Sequence, residues 1–220
     1  MKTLPRLYPI LDTAVLERRG LGLVEAAAAM LEGGARVLQI RHKEFWGPAV
    51  YAAARQVASL CSETNATLIV NDRADIAKLL AAGLHVGQDD LAPRDARALV
   101  GDAPMIGCST HNAAQVCDAA AEPVDYLALG PIFRTSSKPN PDPVVGLEEL
   151  QRCRALASRP LVAIGGITRE NAGAVLRAGA DAVAVIAGLL PEKAAAADLR
   201  QRIEEWRVIA GEAIAGRPAQ

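Results

Sequence analysis

Eight short runs of β-branched and apolar residues, each bounded by turn formers, recur along the chain at 6–11, 36–41, 67–70, 84–86, 104–108, 126–129, 161–164 and 182–186. Alanine-rich stretches with helical spacing separate them. Val50, Ala54, Val57 and Cys61 share one helical face, as do Leu199, Ile203, Trp206 and Ala210. A strand reached through a helix lies parallel to its predecessor, so this alternation predicts a parallel sheet covered by helices. Eight units in 220 residues favour an α/β architecture closed as a (β/α)8 TIM barrel, a single domain over 1–220, rather than an open doubly wound sheet. No GxGxxG follows the first run, which weighs against a dinucleotide-binding fold. Glycines at Gly33-Gly34, Gly83 and Gly179 stand between a helical stretch and the next run, and are expected to cap the helices. Residues 211–220 read as a fraying tail.

Function must be sought in a pocket, because 24 basic and 25 acidic residues nearly cancel to a net charge of −1. Such a surface offers no overall field for nucleic acid or an anionic membrane. The longest uncharged apolar run, 182–190, falls short of the roughly 20 residues of a membrane span, and the N-terminus lacks the apolar stretch of a secretion signal. The chain is therefore expected in the cytoplasm. Cys61, Cys108, Cys117 and Cys153 have no metal-ligand spacing and read as reduced thiols. Pairing of Cys108 with His111 as a nucleophile lacks an orienting third group, and Cys108 is taken as core.

In a barrel, chemistry belongs where the strands end. The two-residue period after the second run puts Gln39, Arg41 and Lys43 on the inward face and Leu38 and Ile40 beneath the helices. Two cations and an amide at the mouth suit phosphate oxygens, against the plainer reading of a structural ion-pair network. Asn71-Asp72 ends the third run and Asp89-Asp90 follows the fourth. Asp72 and Asp90 with a bound diphosphate would satisfy Mg2+, although each taken alone also reads as a helix N-cap. Ser109 and Thr110 after the fifth run meet a helix start, as an anion site or as caps. The segment 131–146 is long for such a connection and reads as a lid carrying Thr135, Ser137 and Lys138 as donors. Gly165-Gly166 and Ile186-Ala187-Gly188, after the last two runs, fit the place where many barrels bind phosphate through backbone N–H groups.

The ordered set QIRHK, NDRAD, HVGQDD, GCSTH, LGPIFRTSSK, AIGGI and DAVAVIAG, spread over nearly the whole chain from Tyr8 onward, resembles thiamine phosphate synthase. The resemblance implies a transferase that condenses a hydroxymethylpyrimidine diphosphate with a thiazole phosphate, with Mg2+ as cofactor and no organic one. It implies that Gln39, Arg41, Lys43 and Asn71 contact the pyrimidine diphosphate. Ser109 and Lys138 grip the diphosphate, and Asp72 and Asp90 hold Mg2+. Thr135, Ser137, Gly166, Ile186 and Ala187 face the thiazole phosphate. Arg41, Lys43, Lys138 and Ser109 form the catalytic set of a dissociative reaction in which pyrophosphate departs before the thiazole nitrogen attacks. Partners are small molecules; a homo-oligomer is compatible with the sequence.

Two positions depart from the family pattern. Ser137 stands for a second threonine and keeps the hydroxyl. Ala187 stands for a serine and loses a donor worth about 0.5–1.5 kcal/mol. A related thiazole tautomerase shares the barrel but has no need of the paired acids and tends to carry histidine where this chain has Pro131. A non-catalytic barrel that binds thiamine precursors is the second rival, set against an intact diphosphate constellation.

Overall fold

The computed structural model describes residues 4–135, 142–190 and 196–212. Eight parallel strands close into a barrel in sequence order: β1 (Leu7–Asp12), β2 (Val37–Arg41), β3 (Thr67–Asn71), β4 (Gly83–Val86), β5 (Ile106–Thr110), β6 (Tyr126–Leu129), β7 (Leu161–Ile164) and β8 (Ala182–Val185). Closure comes from β8 pairing with β1, with Tyr8 opposite Ala184. The covering helices are α1 (Thr13–Arg18), α2 (Leu23–Glu32), α3 (Pro48–Glu63), α4 (Ala74–Leu79), α5 (Pro93–Val100), α6 (Ala113–Ala120), α7 (Gly146–Leu156), α8 (Ala172–Arg177) and α9 (Ala196–Ile209).

The expected period of two decides which side chain goes where. Leu38 and Ile40 pack in the layer between strands and helices, while Val37 joins the barrel interior with Ile69, Met105, Tyr126 and Val162. These side chains fill the interior, so the barrel is a packed core, with a cavity lined by the site residues at the strand C-termini. On α3 the predicted face of Ala54, Val57 and Cys61 is buried, as is Leu199, Ile203 and Trp206 on α9.

Helix ends differ from expectation in informative ways. Gly34 and Gly179 do take the left-handed backbone, at φ +94° and +108°. Gly83 does not: Ala81 makes the left-handed turn after α4, and Gly83 lies inside β4, where a Cβ would collide with Ile69 and with the Met105 carbonyl. Neither Asp72 nor Asp90 caps a helix, because Arg73 precedes α4 and Ala92 precedes α5. Among the described residues, Asp12 accepts from Val15 N at 3.0 Å and Asn112 from Gln115 N at 3.0 Å as side-chain caps.

The barrel floor, at the strand N-termini, repeats one device three times. A carboxylate accepts the first N–H of a strand and an arginine holds the carboxylate. Asp125 accepts from Ile106 N (2.8 Å) beside Arg97, Asp181 from Leu161 N (2.7 Å) beside Arg154, and Glu212 from Leu7 N (3.0 Å) beside Arg207. Arg97 is the most committed of these, since its guanidinium also donates to the carbonyls of Pro104 at 2.7 Å and Pro123 at 3.1 Å. Arg97→Ala strips a largely buried carboxylate and several carbonyls of their donor, and should destabilise the fold by about 3 kcal/mol in urea unfolding. A loss below about 1 kcal/mol would show the device to be ornamental.

Candidate active site

A cavity of about 710 Å³ opens at the C-terminal mouth of the barrel. Its wall takes in the predicted Gln39, Arg41, Lys43, Asn71, Asp72 and Asp90 on one side. Ser109, Thr135, Gly166, Ile186 and Ala187 line the same space. Ser137 and Lys138 lie outside the described residues.

The two cations are not left bare, as their shared face had suggested. Arg41 pairs with Asp12, which the β1–β2 register sets directly opposite it, and Lys43 pairs with Asp72. Lys43 is half exposed, so its pair is easily exchanged for a ligand. Asp72 holds its position with φ at +64°, an uncommon backbone state that turns the chain sharply after β3. Burial pushes its carboxyl up from the usual range; the hydrogen bond from Lys43 lowers it, and the adjoining Asp90 carboxyl raises it again. Asp90 also accepts from the Gly87 N–H at 2.7 Å, which fixes the loop after β4. Two neighbouring carboxylates with one cation, Lys43, paired to Asp72 favour a further positive charge. Among the described residues, no group of three or more acid, histidine or cysteine side chains is placed to hold a metal by itself. The donor set fits Mg2+, which accepts one or two carboxylates and completes its shell with water and phosphate oxygens.

Between the carboxylates and the barrel centre stands Asn71, buried, with its Nδ2 lacking any hydrogen-bond partner. An orphaned buried donor in a cavity wall marks a place for an acceptor. Deeper still lie Tyr8, Tyr126 and His85, which the sequence did not single out, joined to the expected Gln39 and Ser109. Gln39 Nε2 donates to Tyr8 Oη (2.9 Å), and the hydroxyls of Tyr8 and Tyr126 meet at 2.7 Å. His85 Nδ1 meets Tyr126 Oη at 2.9 Å, while its Nε2 meets Ser109 Oγ at 2.9 Å. Gln88 Nε2 fixes the Ser109 carbonyl at 2.6 Å.

Burial pushes the His85 imidazole down from 6.5 to about 4, with Asp90 opposing weakly. His85 is therefore neutral at pH 7. Between pH 6.5 and 4 the unfolded chain binds a proton that the native state refuses, so stability is intact above 6.5 and declines as pH falls through this window. His85 alone should remove about 3 kcal/mol by pH 4. Urea unfolding of His85→Gln should show a shallower acid slope than wild type over this range; identical slopes would refute the shift.

On the far side, the base of the 131–146 segment is pinned. Val145 N donates to the Pro131 carbonyl (2.8 Å) and Gly146 N to that of Ile132 (3.1 Å). Gly165 and Gly166, at φ +96° and +64°, let β7 turn beneath this base, where a Cβ on Gly166 would collide with Phe133 and the Arg134 carbonyl. Phe133 N closes the contact on Gly165 O at 3.0 Å. The four cysteines are free, and burial raises the Cys108 thiol to about 11, so it is inert core.

This geometry has relatives. The family model for thiamine monophosphate synthase matches residues 7–189. The chain belongs to that family. A thiamine-phosphate synthase of Koribacter versatilis is 49% identical over 208 residues, covering 92% of this chain and 94% of the relative. One from Methanoculleus marisnigri is 42% identical over 201 residues, covering 90% and 94%. The solved thiamine phosphate pyrophosphorylase from Pyrococcus furiosus superposes with a TM-score of 0.81 at 30% identity, covering 94% and 96%. Of the motif residues, Arg41, Asn71 and Thr110 close their strands, Asp72, Gly165 and Ile186 stand just beyond theirs, and Gln39, His85 and Ser109 lie within strands. No helix among the described residues is long and apolar enough to cross a membrane.

Proposed function

We propose that the protein is a thiamine-phosphate synthase, a transferase joining a hydroxymethylpyrimidine diphosphate to a thiazole phosphate with release of pyrophosphate. The observation that carries this reading is the convergence of Lys43, Asp72, Asp90 and the partnerless Asn71 amide at one mouth of a barrel belonging to this family. Thiazole tautomerisation would leave the paired carboxylates without work.

Breaking the carbon–oxygen bond to the diphosphate places the developing negative charge on the leaving group, so preorganised positive charge is the main catalytic need. Arg41, Lys43 and Lys138 would supply it, with Ser109 as a hydroxyl donor. Asp72 and Asp90 would hold Mg2+, which when bound adds a Lewis acid to the diphosphate oxygens. Gln39 and Asn71 would orient the pyrimidine diphosphate, the Asn71 Nδ2 finding the acceptor it lacks. Thr135, Ser137 and the backbone at Gly166, Ile186 and Ala187 would hold the thiazole phosphate so that its ring nitrogen meets the pyrimidine methylene cation. That nitrogen carries no proton to remove, and a neutral His85 engaged on both sides is not called on as a base.

The deciding experiment incubates the protein with pyrimidine diphosphate, Mg2+ and either the carboxylated or the decarboxylated thiazole phosphate. Thiamine phosphate and pyrophosphate should form in equal amounts and cease with excess EDTA. A folded protein that yields neither product would sink the proposal, and unabated turnover in EDTA would remove the metal from it.

A further inference from the structure

Five polar side chains from five strands form one continuous hydrogen-bonded line across the barrel, Gln39–Tyr8–Tyr126–His85–Ser109, and all five border the cavity. Only its ends reach residues to which the family motifs point; the three in the middle are neither on a motif's ligand list nor on a loop. We propose that Tyr8, Tyr126 and His85 are positioning residues that act as a one-way relay, fixing His85 as its Nε2–H tautomer and turning the Ser109 hydroxyl proton outward as a donor to the diphosphate. This rests on the proposed function for the identity of the anion.

The direction follows from counting protons. Gln39 Nε2 can only donate, so Tyr8 Oη receives that bond and sends its own proton to its remaining partner, Tyr126 Oη. Tyr126 must then donate onward to His85 Nδ1, which accepts. A neutral imidazole holds one proton, and with Nδ1 accepting, that proton sits on Nε2 and is given to Ser109 Oγ. Ser109 is left with a proton and no acceptor along the line, facing the cavity. The reverse sense would aim Ser109 lone pairs at an anion and make Ser109 with His85 resemble a nucleophile and its base. That arrangement needs a charged partner on Nδ1, and Tyr126 does not serve: burial holds its phenol well above the usual range, hence neutral. Two buried tyrosines raised in this way keep their protons through the physiological range, so each has a proton to pass along the line.

Two measurements test this. Long-range nitrogen–proton spectra of ligand-free protein with labelled histidine, the His85 signals assigned by their loss in His85→Gln, should show Nδ1 unprotonated and Nε2 protonated. The opposite pattern overturns the relay whatever the protein's activity. In the complete assay with Mg2+, Tyr126→Phe keeps the ring but not the hydroxyl, and should lower kcat about tenfold while KM for the pyrimidine diphosphate changes less than about twofold. In a Ser109→Ala background the same change should cost less than about twofold, since the relay then has nothing to orient. Equal losses in both backgrounds overturn the proposal. A wild-type protein without synthase activity would defeat the functional reading instead, with the tautomer measurement still deciding the relay.

Discussion

Asp72→Asn should lower kcat by about a thousandfold or more and leave the fold as stable as wild type, or more so. The catalytic loss follows from place and charge. Asp72 is the carboxylate between Lys43 and Asp90, and without its charge the site keeps one acid for a divalent cation and a lysine no longer held in register. Loss of about 4 kcal/mol of transition-state stabilisation corresponds to the factor named. The stability forecast has a separate basis. Burial already disfavours the charged form of Asp72, so a neutral isostere is relieved of that penalty. Asparagine also tolerates a φ of +64° as well as aspartate does. Lost turnover with retained stability marks a residue kept for chemistry at a structural cost. Steady-state rates beside urea midpoints decide the matter: turnover within tenfold of wild type would take Asp72 out of the mechanism. Lys43→Ala should follow the same pattern, since the exposed lysine contributes little to the fold.

What the sequence made legible depended on whether a residue's neighbours in space were also its neighbours in the chain. Strands buried on both faces must be continuous apolar runs, which is why all eight were visible, with ends shifted by a residue or two. Residues just past a strand end were visible because, in a barrel, that position alone sends them to the mouth; Lys43, Asp72 and Gly166 came to one cavity on this logic. The partners inside the barrel were not. Tyr8 and Tyr126 are 118 positions apart and meet only because the barrel closes. His85 and both tyrosines sit in apolar runs, where a lone aromatic or histidine reads as core. Inward phase was the available signal: buried polar atoms facing a shared interior require one another. Asp12 went unseen for a similar reason, since its role as partner of Arg41 depends on the β1–β2 register.

The same register makes Gly107→Ala a damaging single-methyl change in the barrel interior. Gly107 faces inward on β5, opposite His85 of β4 and Tyr126 of β6. For Tyr126 to bring its hydroxyl to His85 Nδ1 it must cross the intervening strand, and the far end of its ring occupies the space where a Cβ on Gly107 would stand. Glycine is required there by space alone. The ring is held on two sides, stacked on His85 at 5.6 Å between centroids and edge-on to Tyr8 at 5.8 Å. The added methyl therefore costs overpacking together with the buried hydrogen bonds that a displaced phenol would break, about 3–5 kcal/mol in urea unfolding. Activity should fall with it, because Ser109 loses its orienting line. Shortening the obstructing side chain in Gly107→Ala/Tyr126→Leu should recover much of the stability and none of the turnover, which separates the steric effect from the polar one. A Gly107→Ala protein within about 1 kcal/mol of wild type would mean that the tyrosine can leave its place over β5, and a line of hydrogen bonds so easily vacated could not hold Ser109 in one orientation.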